Sequence, residues 1–222
     1  KADGPVKADG PAKADGPVKA DGPVKADGPV KADGAISKPD LKLVADQPPV
    51  TKPILDYATY LAGTLEDTPR DIAVDANGAI YIAGGTKSTN FITTPGAYDR
   101  THNGNMDAFL MKFNPDFTLA FSTFFGGPKY ERAYVLQLDP QGNIYLCGRA
   151  GAGIPTTAGV VHPTFLGDNN PGAAYGPQDG FVAKFTNSGQ LLWATYIGTD
   201  GGDVARGCAV DGQGAVYVGM TG

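Results

Sequence analysis

One short pattern constrains this chain more than any other: apolar-Asp-x-x-Gly-x-[Ile/Val]-Tyr-apolar. It occurs around Asp75-Ala76-Asn77-Gly78-Ala79-Ile80-Tyr81, around Asp139-Pro140-Gln141-Gly142-Asn143-Ile144-Tyr145 and around Asp211-Gly212-Gln213-Gly214-Ala215-Val216-Tyr217. Apolar residues alternate on both sides of the turn, and the Gly supplies a left-handed backbone, so each copy reads as two short strands joined by a tight turn. Asp75, Asp139 and Asp211 stand 64 and then 72 residues apart. A motif in register over that distance marks a repeat protein.

The rest of each unit repeats too. Asp107-Ala108-Phe109-Leu110-Met111-Lys112-Phe113 is matched by Asp179-Gly180-Phe181-Val182-Ala183-Lys184-Phe185, and Phe121 to Gly127 by Trp193 to Thr199. Four short strands per unit predict an all-β fold of propeller blades, each of four antiparallel strands. A further copy of the fourth strand, Tyr57-Ala58-Thr59-Tyr60-Leu61, precedes the first unit and is expected to act as a closing strand. The predicted organisation is a tail over 1–36, a Pro-rich linker over 37–52 and a partial propeller over 53–222. Within the propeller lie a closing strand at 54–64, blades at 68–127 and 128–199, and part of a blade at 200–222. Too few blades are present to close a ring, so the remainder of a longer chain is expected. The surplus length lies between the second and third strands, in Ile92 to Tyr98 and again in Ile154 to Gly172. Loops there are expected to project and to carry binding specificity.

Residues 1–34 repeat the hexapeptide Lys-Ala-Asp-Gly-Pro-Val, with Ala12 once in place of Val, and the sixth copy departs into Ala35-Ile36. One Val in six residues cannot offset the entropy of ordering a backbone, which points to a solvated spacer. The other reading is a tandem peptide recognised by a partner. A net charge of −5 without a basic stripe argues against nucleic acid. No apolar run approaches the ~20 residues of a membrane span. The two cysteines, Cys147 and Cys208, are expected as small buried apolar residues in neighbouring units; a bridge between them is the alternative.

Taken together, Asp75-x-x-Gly78-x-Ile80-Tyr81, Thr93-Thr94-Pro95-Gly96-Ala97-Tyr98, Asp107-Ala108-Phe109-x-x-Lys112-Phe113 and Ser122-Thr123-Phe124-Phe125-Gly126-Gly127 resemble the SBBP (seven-bladed β-propeller) repeat of bacterial secreted and cell-surface proteins. The resemblance covers about 53–222. It implies a propeller, usually of seven blades, in multidomain surface proteins, some of which carry C-terminal secretion signals. It implies no activity. The second unit departs from the pattern: Arg149-Ala150-Gly151-Ala152 replaces Gly84-Gly85-Thr86-Lys87, and Ala158 replaces Pro95.

Catalytic chemistry should break a repeat, because an active site needs residues present once. His102 and His162 are not a repeated pair, since alignment sets His162 opposite Asp99. They are expected to be solvated loop residues. No Gly-x-Ser-x-Gly elbow, phosphate loop or dinucleotide fingerprint occurs in a suitable context. Asp75, Asp139 and Asp211 are weak calcium candidates, helped by Asn77 or Gln213 and turn carbonyls. One carboxylate per turn is thin for a cation that takes six to eight oxygens, and hydrogen bonding to the turn's own amides is the stronger reading. Asp107 and Lys112, like Asp179 and Lys184, are an odd number of positions apart and are expected to bond to neighbouring strands or blades. Gly78, Gly142 and Gly214, with Tyr81, Tyr145 and Tyr217, are structural repeat positions. The aromatics, with Tyr57, Phe121 and Trp193, suit blade packing better than a sugar platform.

The functional expectation is a non-enzymatic secreted or cell-surface scaffold, without a required cofactor, binding a protein or glycan through its loops. The alternatives are a propeller enzyme whose site lies in other blades, and a tail that is itself the recognised element.

Overall fold

The computed structural model describes residues 58–167 and 174–222. The tail, the linker, the first part of the expected closing strand and the Asp168 to Gly172 stretch of the second long connection lie outside them. Ten strands run in chain order: β1 (Asp67–Val74), β2 (Ile80–Thr86), β3 (Asp107–Phe113), β4 (Leu119–Phe125), β5 (Glu131–Leu138), β6 (Ile144–Ala150), β7 (Asp179–Phe185), β8 (Leu191–Ile197), β9 (Val204–Val210) and β10 (Val216–Thr221). They form two four-stranded sheets, β1-β2-β3-β4 and β5-β6-β7-β8, and the pair β9-β10. Every neighbouring pair is antiparallel. This is the all-β, blade-by-blade fold expected, and these strands do not close a ring. Among the described residues no helix is long and apolar enough to cross a membrane.

The Asp motif explains why the first two strands of each unit form. Asp75 Oδ1 accepts the amides of Asn77 and Ala79, at 2.9 and 3.0 Å, and Gly78 turns the chain at φ 84°. Oδ2 then receives the Tyr81 hydroxyl from β2 at 3.1 Å. The same latch joins Asp139 to Tyr145 at 3.2 Å and Asp211 to Tyr217 at 3.3 Å. The turn and the first strand pair are thus fixed by one side chain.

The first strand of each later sheet packs on the first two strands of the sheet before it, β5 on β2 and β1 and β9 on β5 and β6. A continuous apolar core fills the first junction, bringing Leu110, Phe121 and Phe125 against Leu136, Phe181 and Phe185. Phe125 stands 5.3 and 5.7 Å from the rings of Phe181 and Phe185. Polar bonds fix the register. Asp71 accepts the Leu136 amide at 2.7 Å, and Asn187 donates to the Tyr81 hydroxyl at 3.2 Å and to the Gly142 carbonyl at 3.0 Å.

The described part of the expected closing strand, 58–64, is irregular here, with Thr64 and Leu65 giving their amides to the side chains of Asn90 and Ser88; the blade it would complete is not among these strands. Two expectations are corrected. The long connections do not simply project. Thr94 N bonds to Ser122 O at 3.1 Å and Phe124 N to Asp99 O at 3.0 Å, so the connection doubles back along β4. Thr157 with Ala194 and His162 with Tyr196 repeat this on β8. The described parts of these connections therefore run along each blade's last strand, which would otherwise expose unpaired amides. The repeated Thr123 and Thr195 accept the amides of Asp99 and His162, at 2.9 and 3.0 Å.

The second correction concerns the cysteines. Cys147 and Cys208 form a disulfide between β6 and β9, with Cα atoms 6.5 Å apart. Spacing in sequence hid this, because the two residues occupy different positions in their units and meet only when the sheets stack. The bridge ties the two-stranded sheet to the blade before it.

Two measurements test this frame. Tyr81→Phe removes a buried hydroxyl shared by Asp75 and Asn187 and is expected to cost about 1–2 kcal/mol in urea unfolding. Tyr217→Phe, at a site 63% exposed, should cost under ~0.5 kcal/mol. Equal losses would mean that the latch does not depend on burial. Replacing Cys147 and Cys208 together by Ala is expected to cost about 2–4 kcal/mol. Amide exchange should rise first in β9 and β10; uniform loosening would show that the bridge does not anchor that sheet.

Candidate functional site

The repeated polar residues are spent on architecture. Burial works against the charge of Asp75, yet the amides of Ala79 and Asn77 hold its carboxyl below the ordinary range. In Asp139 burial is likewise outweighed, by Asn143 and Lys184, and in Asp211 the amides of Ala215 and Gln213 lower it. A calcium ion at these turns would compete with at least three hydrogen bonds per carboxylate. Among the described residues no group of three or more His, Cys, Asp or Glu side chains is placed to hold a metal.

Lys112 lies opposite Tyr81 across β3 and β2, with its ammonium 5.0 Å from the ring centre, and bonds to Asn187 of the next sheet. Lys184 repeats the contact over Tyr145 at 4.8 Å and pairs with Asp139 at 3.3 Å. Phe121 is buried in the first junction, and Trp193 packs in the second. Neither histidine is a freely solvated loop residue. Both are half-buried; His102 Nε2 donates to the Thr86 carbonyl at 3.0 Å, and its ring meets Phe124 edge-on. His162 takes the place of Asp99 against the outer strand.

A second repeated acid escaped the motif search. Asp67, Glu131 and Asp203 share the 64- and 72-residue register, and each accepts the amide four residues before it: Gly63 at 2.6 Å, Gly127 at 2.9 Å and Thr199 at 2.6 Å. Each of the last two meets the β3-type Asp of the preceding blade across a glycine. A Cβ on Gly126 would lie 3.0 Å from both Asp107 Oδ1 and Glu131 Oε2. On Gly198 it would lie 2.9 Å from Asp203 Oδ2 and 3.1 Å from Asp179 Oδ1. Asp107 accepts the Asn103 amide at 2.9 Å on Oδ2, whereas its buried Oδ1 has no hydrogen-bond partner in the protein. Asp179 accepts the Leu166 amide at 2.7 Å. Burial pushes the Asp107 and Asp179 carboxyls up, and it pushes Glu131 up to about 8 despite the amides of Gly127 and Gly151. These junctions hold protons that ordinary carboxylates have lost.

The chemistry that does not repeat lies near the start of the first strands. Each of those strands has a bulge, with the register shifting around Arg70, Tyr134 and Arg206, which are equivalent residues. A bulge re-aims the extra side chain. Glycine is required opposite: a Cβ on Gly84 would lie 2.1 Å from Thr68 O, and one on Gly148 would lie 2.0 Å from Arg132 O. The guanidinium groups of Arg206, Arg70 and Arg149 stand 4.8, 5.7 and 5.7 Å from the Tyr134 ring centre. Arg149 also lies 3.8 Å from the Tyr175 ring and 4.8 Å from Tyr130. Strand register makes Arg149 the counterpart of Gly85, one position on from where the sequence comparison set it, and this departure between the units is what builds the cluster.

Charge balance there is incomplete. Arg132 pairs with Glu66 at 3.1 Å, and Lys87 shares that carboxylate at 2.7 Å. Arg70, Arg149 and Arg206 make no ion pair among the described residues. Like charges about 10 Å apart repel by roughly 1–2 kcal/mol per pair at an effective dielectric of ~20. Ring contacts worth about 0.5–1 kcal/mol at exposed sites offset only part of that.

With this geometry in place, comparison with known families is informative. Residues 56–92 match the model of the SBBP family, a beta-propeller repeat. The chain carries an SBBP propeller repeat. The matched segment spans β1, β2 and the first Asp–Tyr latch, so the SBBP signature coincides with the interactions that fix the first strand pair. No curated protein matches the chain.

The buried junction between the first two sheets gives a pH prediction. Between the ordinary glutamate value of 4.5 and about 8, folded Glu131 keeps a proton that the unfolded chain releases, so stability falls as pH rises through that window. The turn aspartates act oppositely, because their lowered values stabilise the fold at higher pH and that support is lost on acidification. Urea unfolding at pH 5 and pH 8.5 should show a loss of a few kcal/mol toward alkaline pH, and Glu131→Gln should flatten it. An unchanged slope in that variant would assign the effect elsewhere.

Proposed function

We propose that this chain is part of a non-enzymatic propeller scaffold, secreted or displayed at a cell surface, that serves adhesion or protein contact. One observation carries the reading. The repeated side chains are consumed by turns and blade junctions, whereas unrepeated chemistry gathers in one Arg–Tyr cluster suited to holding a ligand rather than transforming it. The cluster has cations and aromatic rings but no nucleophile activated by a base, and binding sites are built from such groups. The Cys147–Cys208 bridge supports an oxidising compartment, where structural disulfides persist. The hexapeptide tail is proposed as the spacer that holds the propeller away from its anchor.

The test is binding of the labelled full chain to arrays of glycans and surface proteins, followed by chemical analysis of any captured ligand. The expected result is saturable capture that is lost in a Tyr134→Ala, Arg206→Ala variant, with the ligand recovered intact. A cleaved or eliminated ligand would favour the enzyme alternative, and capture unaffected by the double variant would remove the cluster from the function.

A further inference from the structure

We infer that the Arg–Tyr cluster on the bulges of β1, β5 and β9 is an oxyanion-binding site, built for a ligand that presents a carboxylate or phosphate group. The inference rests on the scaffold reading above and adds the chemistry of what is bound. Three independent features lead to it. The first is unspent hydrogen bonding: Arg149 Nε and the Tyr130 hydroxyl are buried without a partner among the described residues, in side chains whose residues are 7% and 5% exposed. A buried guanidinium N–H beside a buried phenol O–H offers two donors, and an oxyanion can accept both.

The second is uncompensated charge. The neighbouring acids are already engaged: Glu66 with Lys87 and Arg132, Asp71 with the Leu136 amide, and Glu131 with the amides of Gly127 and Gly151. Among the described residues, no carboxylate is ion-paired to Arg70, Arg149 or Arg206 for an incoming anion to displace. The third is access. Arg70 and Arg206 are exposed, Tyr134 is half-buried and Tyr175 is 47% exposed, so a ligand can approach from solvent while Arg149 waits beneath. Tyrosine stacking also holds Arg149 in place, which lowers the entropy its fork loses on binding.

Titration calorimetry of the full chain at low ionic strength tests this, with sodium glucuronate, inorganic phosphate and glucose as separate probes. Saturable heat is expected from at least one oxyanion and none from glucose. A preference for glucuronate would point to an acidic sugar as the source, and a preference for phosphate to a phosphate ester. Arg70→Ala with Arg206→Ala, both at exposed positions, should weaken binding about tenfold or more, and added salt should weaken it further. Arg149→Lys, which keeps the charge and loses the fork, should also weaken it, with the melting curve checking its fold. Equal response to glucose, no response to either oxyanion at millimolar concentration, or unchanged affinity in the Arg70, Arg206 double variant would overturn the inference. If the oxyanions fail while array capture still depends on Tyr134 and Arg206, the scaffold reading stands and the anion assignment alone falls.

Discussion

The structure depends first on a carboxylate that closes a turn and then holds a tyrosine. Without Asp75 Oδ1 on the amides of Asn77 and Ala79, the first strand pair has no fixed register. Without Oδ2 on Tyr81, a large ring would be buried with its hydroxyl unsatisfied, at a cost of about 1–3 kcal/mol. The ring then supports Lys112 from the strand beyond, and its hydroxyl receives Asn187 of the next blade. One local interaction therefore propagates across a blade and over a junction. Its repetition allows blades of 64 and 72 residues to stack in the same way despite different loops.

A second constraint acts at the inner edge. The bulges of β1 and β5 need glycine opposite, at Gly84 and Gly148, because the backbones approach too closely for a Cβ. Each bulge releases one residue from strand pairing. Arg70, Tyr134 and Arg206 occupy these freed positions, and Arg149 joins them where the first unit has Gly85. Architecture and the proposed recognition site are thus divided. Paired strand residues build the blades, and the residues released by the bulges carry the chemistry that differs from unit to unit.

The junction acids show another use of burial. Glu131 is turned into the space beside Gly126, with Asp107 on the other side; loss of water above all, and neighbouring carboxylates after it, raise their affinity for protons. Such groups make blade contact sensitive to pH, whereas the turn aspartates, held by amides and in Asp139 by Lys184 as well, stay charged. The same residue type therefore acts in opposite directions according to whether its hydrogen bonds and cations outweigh its burial.

The sequence by itself determined the strands, their four-fold grouping, the Asp–Gly–Tyr turn and the SBBP resemblance, because these rest on contacts between residues close in the chain or repeated along it. It also set His162 opposite Asp99, as the structure places it. The junction acids were legible in principle, since Asp67, Glu131 and Asp203 keep the common register, but a single Asp-to-Glu change masks them. Tertiary structure alone decided the Cys147–Cys208 bridge, the folding of the long connections onto the outer strands and the Arg–Tyr cluster. Each depends on how separate sheets stack or on which residue a bulge frees. Spacing along the chain carries no such information, because stacking brings together residues that occupy different positions in their own units.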